Sequence, residues 1–98
     1  MWNDLQKNIA KWSDKQFGKN RPPTAPIAHL LKELIELAQD PFNIMEFADC
    51  FMLLMDSARM AGFDMAELCL AINEKLKINK KRKWGKPDKN GVVEHIRI

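Results

Sequence analysis

Glu33 with Glu36, and Glu46 with Asp49, are two carboxylate pairs in which the partners stand three residues apart. Residues at i and i+3 share a helix face, so each pair would present two acids in one direction. Such spacing is common on solvated faces, and Glu46 can also be read as a capping acid for a helix opening after Asn43. Asp49 resists the solvated reading because it lies inside FADCFMLLM (47–55), among residues that belong in a core. In helical projection Glu46, Asp49 and Asp56 fall within roughly 80° of one another, on a segment that is apolar nearly all round. Like charges crowded on a poorly hydrated stripe repel and lose solvation, a cost that bound cations relieve. Four carboxylates with no histidine among them suit a hard cation, Mg²⁺ or Mn²⁺.

For these acids to meet, two helices must lie side by side. The spacing predicts one helix over 27–39, ended by Asp40-Pro41, with Leu30, Leu31, Leu34, Ile35, Leu37 and Ala38 as its core stripe. A second follows from the Asn43 cap to Gly62. Only residues 40–43 connect them, so the pair should be antiparallel and bring Glu33 and Glu36 opposite Glu46 and Asp49. An earlier helix is expected over 3–16 through Leu5, Ile9 and Trp12, ended by Gly18 and a linker, GKNRPPTAP, in which Pro26 alternatively opens the next helix. Asp64 with Glu67 starts a last helix, through Leu68, Ile72 and Leu76 to Lys81. The tail WGKPDKNGVVEHIRI carries turn signals at Lys86-Pro87 and Asn90-Gly91 and a short candidate strand over 92–98. The expected architecture is an all-α four-helix bundle forming one domain over 1–98, with a helical core over 3–82 and an irregular C-terminal arm over 83–98.

At 98 residues, 46% hydrophobic and 30% charged, the chain has the composition of one soluble globular domain. Its longest apolar run is far below the roughly 18 residues of a membrane span, so no span is expected. The opening MWNDLQKNIAKW has no apolar h-region and predicts no secretory signal. Cys50 and Cys69 have no CxxC spacing and read as small core thiols of a reducing, cytoplasmic compartment. His29 and His95 are distant from both cysteines, which argues against zinc. The net charge of +3 is unevenly spread: residues 75–89 hold eight Lys or Arg against Asp88 alone, whereas 33–67 hold eight acids against Arg59 alone. That segregation suits a place where cations and phosphate oxygens meet at least as well as it suits duplex DNA.

KELIEL (32–37) followed by EFADCFMLLMD (46–56) resembles the ExxE…ExxD signature of the all-α, MazG-like nucleoside triphosphate pyrophosphohydrolases. RMAGF (59–63), AINEKLKINKKRKWG (71–85) and GVVEHIR (91–97) resemble their bacterial and phage dATP/dGTP diphosphohydrolase branch, which includes small phage enzymes of the diaminopurine-DNA pathway that act on dGTP. The resemblance implies hydrolysis of a purine dNTP, dGTP and/or dATP, to dNMP and pyrophosphate, in a bacterial or phage-infected cytoplasm. It implies that Glu33, Glu36, Glu46 and Asp49 hold two or more Mg²⁺ or Mn²⁺ ions. Glu33 or Glu36 would then orient or deprotonate the attacking water. By the same resemblance Lys75, Asn79, Arg82 and Lys83 grip phosphates. Lys75, Asn79 and Arg82 share a helix face, although a solvated basic helix end is also favoured by the helix dipole. Trp84 would pack on the nucleoside or on a partner subunit. Three roles are open to Asp56: an acceptor behind the metal ligands, a base contact, or a partner for Arg59. His29 reads as a surface residue or a donor to Glu33. Trp12 and Phe17 could stack on a base, with core packing the alternative for Trp12. Two departures from the family pattern are visible. Lys32 stands where a further Glu is frequent, and the nine residues between Glu36 and Glu46 are fewer than many relatives have.

Two other readings compete with the enzyme. One is a small basic nucleic-acid-binding module built on KINKKRKWGK, which leaves the acid stripe without a purpose. The other is a helical interaction protein, an antitoxin-like dimer with Met45, Met52, Met55 and Met60 as an adaptable interface. Four short helices have little core, and three neighbours from the same chain are too few to cover Phe47, Phe51, Leu54, Met52 and Met60 together. A homo-oligomer, dimer or tetramer, is therefore expected, with Lys83, Trp84 or the arm completing a neighbour's site.

Overall fold

The computed structural model describes residues 1–96, in which the chain forms four helices: α1 (Trp2–Phe17), α2 (Thr24–Gln39), α3 (Ile44–Met60) and α4 (Met65–Lys81). Local chemistry accounts for the boundaries. α2 starts three residues ahead of the expected position because Pro26 occupies its first turn, where a missing N–H costs little. At the start of α3 the Asn43 side chain accepts from the Met45 N–H at 3.0 Å. Glu46 does not close a capping box there: its Oε2 is buried without a hydrogen-bond partner. Asp64 and Glu67 do form a reciprocal box, Glu67 N–H to Asp64 Oδ1 at 2.8 Å and Asp64 N–H to Glu67 Oε1 at 3.2 Å. α3 ends in a Schellman motif, with Phe63 N–H on the Ala58 carbonyl and Gly62 N–H on that of Arg59. Gly62 sits at φ 93°, a conformation that a side chain strains.

The chain divides into two compact units, Met1–Leu68 and Cys69–Ile98. In the first, α3 packs along α2 and against α1. Ile9, Met55 and Met65 form the buried centre, with Leu68 against it. Gln6, also buried, ties α1 to the end of α3 by donating to the carbonyls of Met55 (3.0 Å) and Phe63 (3.1 Å). In the second unit the arm folds back on itself, with a single antiparallel bridge between Trp84 and His95 among the described residues. Asn90-Gly91 makes a turn braced by the Asp88 carboxylate, whereas Lys86-Pro87 does not. The expected strand over 92–98 is reduced to that bridge, and its last two residues, Arg97 and Ile98, lie outside the described residues.

Several expected core positions are open in the single chain. Of the α2 stripe only Leu30 is buried, while Leu31 and Ile35 are 63% and 62% exposed. Phe47, Phe51, Met52 and Leu54 of α3 are exposed as well. Trp12 lies at the surface rather than in the core, and Cys69 is exposed while Cys50 is buried as expected. Helical periodicity identifies apolar faces but does not say whether the same chain covers them.

Candidate metal centre

The tight turn Asp40–Asn43 reverses the chain, so α2 and α3 run antiparallel and their acids converge. Glu33, Glu46 and Asp49 each bring a carboxylate oxygen within 4.8 Å of the others. Glu36 hydrogen-bonds Glu33, and that bond, with desolvation and the charges of Glu36 and Asp49, pushes the Glu33 carboxyl above its ordinary pKa. Desolvation, then the charges of Glu36, Asp49 and Asp40, pushes Glu46 up as well. Glu33 Oε2 and Glu46 Oε2 are both buried with no hydrogen-bond partner among the described residues. Asp49 is more exposed than its apolar sequence surroundings predict, whereas Asp56, two turns further along the same stripe, is buried. Three of the four expected ligands, Glu33, Glu46 and Asp49, thus sit together, with the exposed Glu36 beside Glu33; they present hard oxygen donors only, and the two orphaned oxygens are the feature a divalent cation would satisfy. The half-exposed His29 lies one turn before Glu33, with Nε2 3.2 Å from its Oε1.

Beside the acids a cavity of about 150 Å³ opens between the first three helices. Glu33, Asp49 and His29 form one part of its wall, Ile9, Met52 and Leu53 an apolar part, and Trp12, Phe17, Ser13 and Asp56 the remainder. The Trp12 and Phe17 rings meet edge to face at 5.3 Å, and the Arg21 guanidinium lies 5.2 Å from the Phe17 ring centre.

Asp56 is 3% exposed and heavily partnered. Its Oδ1 accepts from Arg59 Nε at 2.7 Å, and its Oδ2 accepts from Ser13 Oγ at 2.6 Å with Arg21 Nη2 3.5 Å away. Arg59 also reaches Asp14 at 2.8 Å. The hydrogen bond from Arg59 holds the Asp14 carboxyl below its usual range. Partial burial works against the Arg59 charge, but its bonds to Asp14 and Asp56 outweigh it and raise its pKa. Of the roles open to Asp56 in the sequence, the partnership with Arg59 is therefore present, and it occurs in the cavity wall. Ser13 and Arg21 were not singled out from the sequence. The available signal was a serine on the inward stripe Gln6–Ile9–Ser13, where a polar side chain must find a buried partner.

The basic candidates belong to the second unit. Asn79 accepts from Arg82 Nη1 through its side chain (3.2 Å) and from Trp84 Nε1 through its carbonyl (2.9 Å). Trp84 meets the His95 ring edge-on at 5.9 Å. Lys75 and Lys83 are exposed.

Residues 5–98 match the profile of the dATP/dGTP pyrophosphohydrolase family. The chain is 40% identical over 98 residues to a dATP/dGTP diphosphohydrolase of Cyanophage S-2L, covering 95% of this chain and 86% of that protein. It is 37% identical over 94 residues to a dATP/dGTP diphosphohydrolase of Salmonella phage PMBT28, and 40% over 93 residues to the Eaa protein of Salmonella phage P22. In those two, the match spans 31% and 29% of the longer relative. Among solved structures it is similar to the Cyanophage S-2L MazG-like pyrophosphohydrolase bound to dGDP and three catalytic Mn²⁺ ions per active site. The TM-score is 0.81 at 35% identity, over 99% of this chain and 98% of that one.

Proposed function

The chain belongs to the dATP/dGTP pyrophosphohydrolase family, and from that premise we propose that Glu33, Glu36, Glu46 and Asp49 are the metal centre of its reaction. That reaction is the metal-dependent hydrolysis of a purine dNTP, dGTP and/or dATP, to dNMP and pyrophosphate. The observation that carries the assignment is the pair of buried oxygens, Glu33 Oε2 and Glu46 Oε2, left without partners in a cluster of three acids completed by Asp49, with Glu36 beside Glu33. Bound Mg²⁺ or Mn²⁺, two or more per site, would neutralise phosphate oxygens and lower the pKa of water at the site. Glu46 and Asp49 hold the cluster from α3 and Glu33 and Glu36 from α2. Glu33 or Glu36 orients the water and takes its proton as its oxygen bonds to the α-phosphorus. The bond to the α–β bridging oxygen breaks, and pyrophosphate leaves.

The nucleoside takes the cavity next to the acids, beside Trp12 and Phe17, where an aromatic wall offers stacking. Lys75, Asn79, Arg82, Lys83 and Trp84 serve the phosphates or the nucleoside, in the same chain or in a neighbour. The working form is a homo-oligomer in the cytoplasm of a bacterial or phage-infected host. Supporting the oligomer, Leu31, Ile35 and Phe51 remain open in the single chain. A panel of dNTPs with Mg²⁺ or Mn²⁺, with products separated by chromatography, tests the function. Release of dNMP with pyrophosphate from dGTP or dATP is expected, and dNDP with inorganic phosphate would overturn the reading.

A further inference from the structure

The basic residues of α4 and its immediate continuation occupy two opposite faces. At roughly 100° per residue, Lys75, Asn79 and Arg82 fall within about 60° of one another, and Lys77, Lys80 and Lys81 centre roughly 180° away. A triphosphate gripped by the first face lies out of reach of the second, so the reaction proposed above leaves Lys77, Lys80 and Lys81 without a role. All three are exposed, and none forms an ion pair among the described residues. The helix dipole favours Lys80 and Lys81 in the last turn but does not call for Lys77 before it. Like charges at i and i+4 repel, and an anionic partner offsets that cost. Over 73–81 the same arc holds Asn73 and no apolar or aromatic side chain. A protein partner needs apolar anchors at the centre of the contact, which this face lacks. An interfacial membrane helix sets an apolar face against its lysines, where α4 has Lys75 and Asn79. A single strand needs aromatic rings on which to stack its bases. What remains is the charge-dense backbone of a duplex, which lysine meets as a point charge without reading a base.

We propose that the Lys77–Lys80–Lys81 face of α4 docks the sugar–phosphate backbone of duplex DNA and tethers the enzyme there by contacts that ignore base sequence. The docking surface goes beyond the proposed hydrolysis and uses none of its residues.

Fluorescence anisotropy with a short labelled duplex tests it, in EDTA so that no divalent ion bridges the acids to phosphate. Three neutralised phosphates give a log–log salt slope of about −2.7, so Kd should rise about 40-fold between roughly 50 and 200 mM salt. The triple variant Lys77→Gln, Lys80→Gln, Lys81→Gln should bind about 10-fold or more weakly at low salt, with a flatter slope. Its kcat/KM for dGTP should stay at the wild-type level. A second triple variant, Lys7→Gln, Lys11→Gln, Lys15→Gln, removes the same charge from exposed positions of α1 and should bind DNA as the wild type does. Equal losses in the two variants would reduce the effect to net charge and overturn the proposal. Absent or salt-insensitive binding, tighter binding of the single strand or of anionic vesicles, or a fall in dGTP turnover in the α4 variant would overturn it too. DNA docking by a protein that hydrolyses no dNTP would sink the proposed function and leave the docking surface standing.

Discussion

Glu33 and Glu46 are held above the ordinary carboxylate pKa of about 4.3, Glu33 by its hydrogen bond to Glu36 and Glu46 by desolvation, with neighbouring acids adding to both. An acid with a raised folded pKa binds its proton more tightly folded than unfolded, so stability falls as pH rises from the unfolded value through the folded one. The metal-free protein should accordingly lose Tm across the range from about pH 4 upwards, and Glu46→Gln should flatten that fall. Asp14, lowered by Arg59, acts in the opposite sense and in a more acidic window, its contribution disappearing as pH drops through its folded pKa. Thermal melts in EDTA across pH, repeated with saturating Mn²⁺, check this: the metal should abolish the fall. For the basic side chains, Arg82→Ala or Lys75→Ala should raise KM or lower kcat, because on the proposed reading each removes a charge that would meet the phosphates. Steady-state kinetics with dGTP reads the effect. The four acids were legible in the sequence because a four-residue turn leaves their helices little choice but to face each other. Asp56 was only half legible, since its partners Ser13 and Arg21 come from α1 and the linker, distant in sequence.

Helix ends and helix contacts respond to different substitutions. Gly62→Ala meets no atom within 4 Å, so its cost is the strain of a positive φ alone, about 1 kcal/mol. Arg59→Ala removes the cation that pairs Asp14 on α1 with Asp56 on α3 and should cost about 3 kcal/mol, because it leaves a buried carboxylate short of a partner. Urea denaturation of the two variants orders them: a loss for Gly62→Ala as large as that for Arg59→Ala would contradict the network's importance. The four helices could be read from caps, prolines and periodicity because those signals are local. The arm could not, since its bridge joins Trp84 to His95 across a loop and rests on the non-local bonds Gly85 N–H to Glu94 O and Ile96 N–H to Lys83 O.

At the level of the whole molecule, an apolar groove of about 410 Å³ between α1 and α3, lined by Trp2, Leu5, Phe51 and Met52 among others, joins the bare faces of α2 and α3 as surface that a lone soluble chain rarely carries. Periodicity marked these residues as core but could not say that their own chain leaves them open. Light scattering at micromolar concentration should therefore give a mass of at least two chains, and an active monomer would contradict the assembly. The metal centre itself is tested most directly by titrating Mn²⁺ into the protein by calorimetry and following pyrophosphate release in the same samples, for the wild type, Glu36→Gln and Asp49→Asn. Wild-type protein should bind Mn²⁺ and turn over dGTP or dATP, while both variants should remain folded, bind the metal more weakly and lose turnover. Metal affinity and activity close to wild type in either variant would contradict the centre.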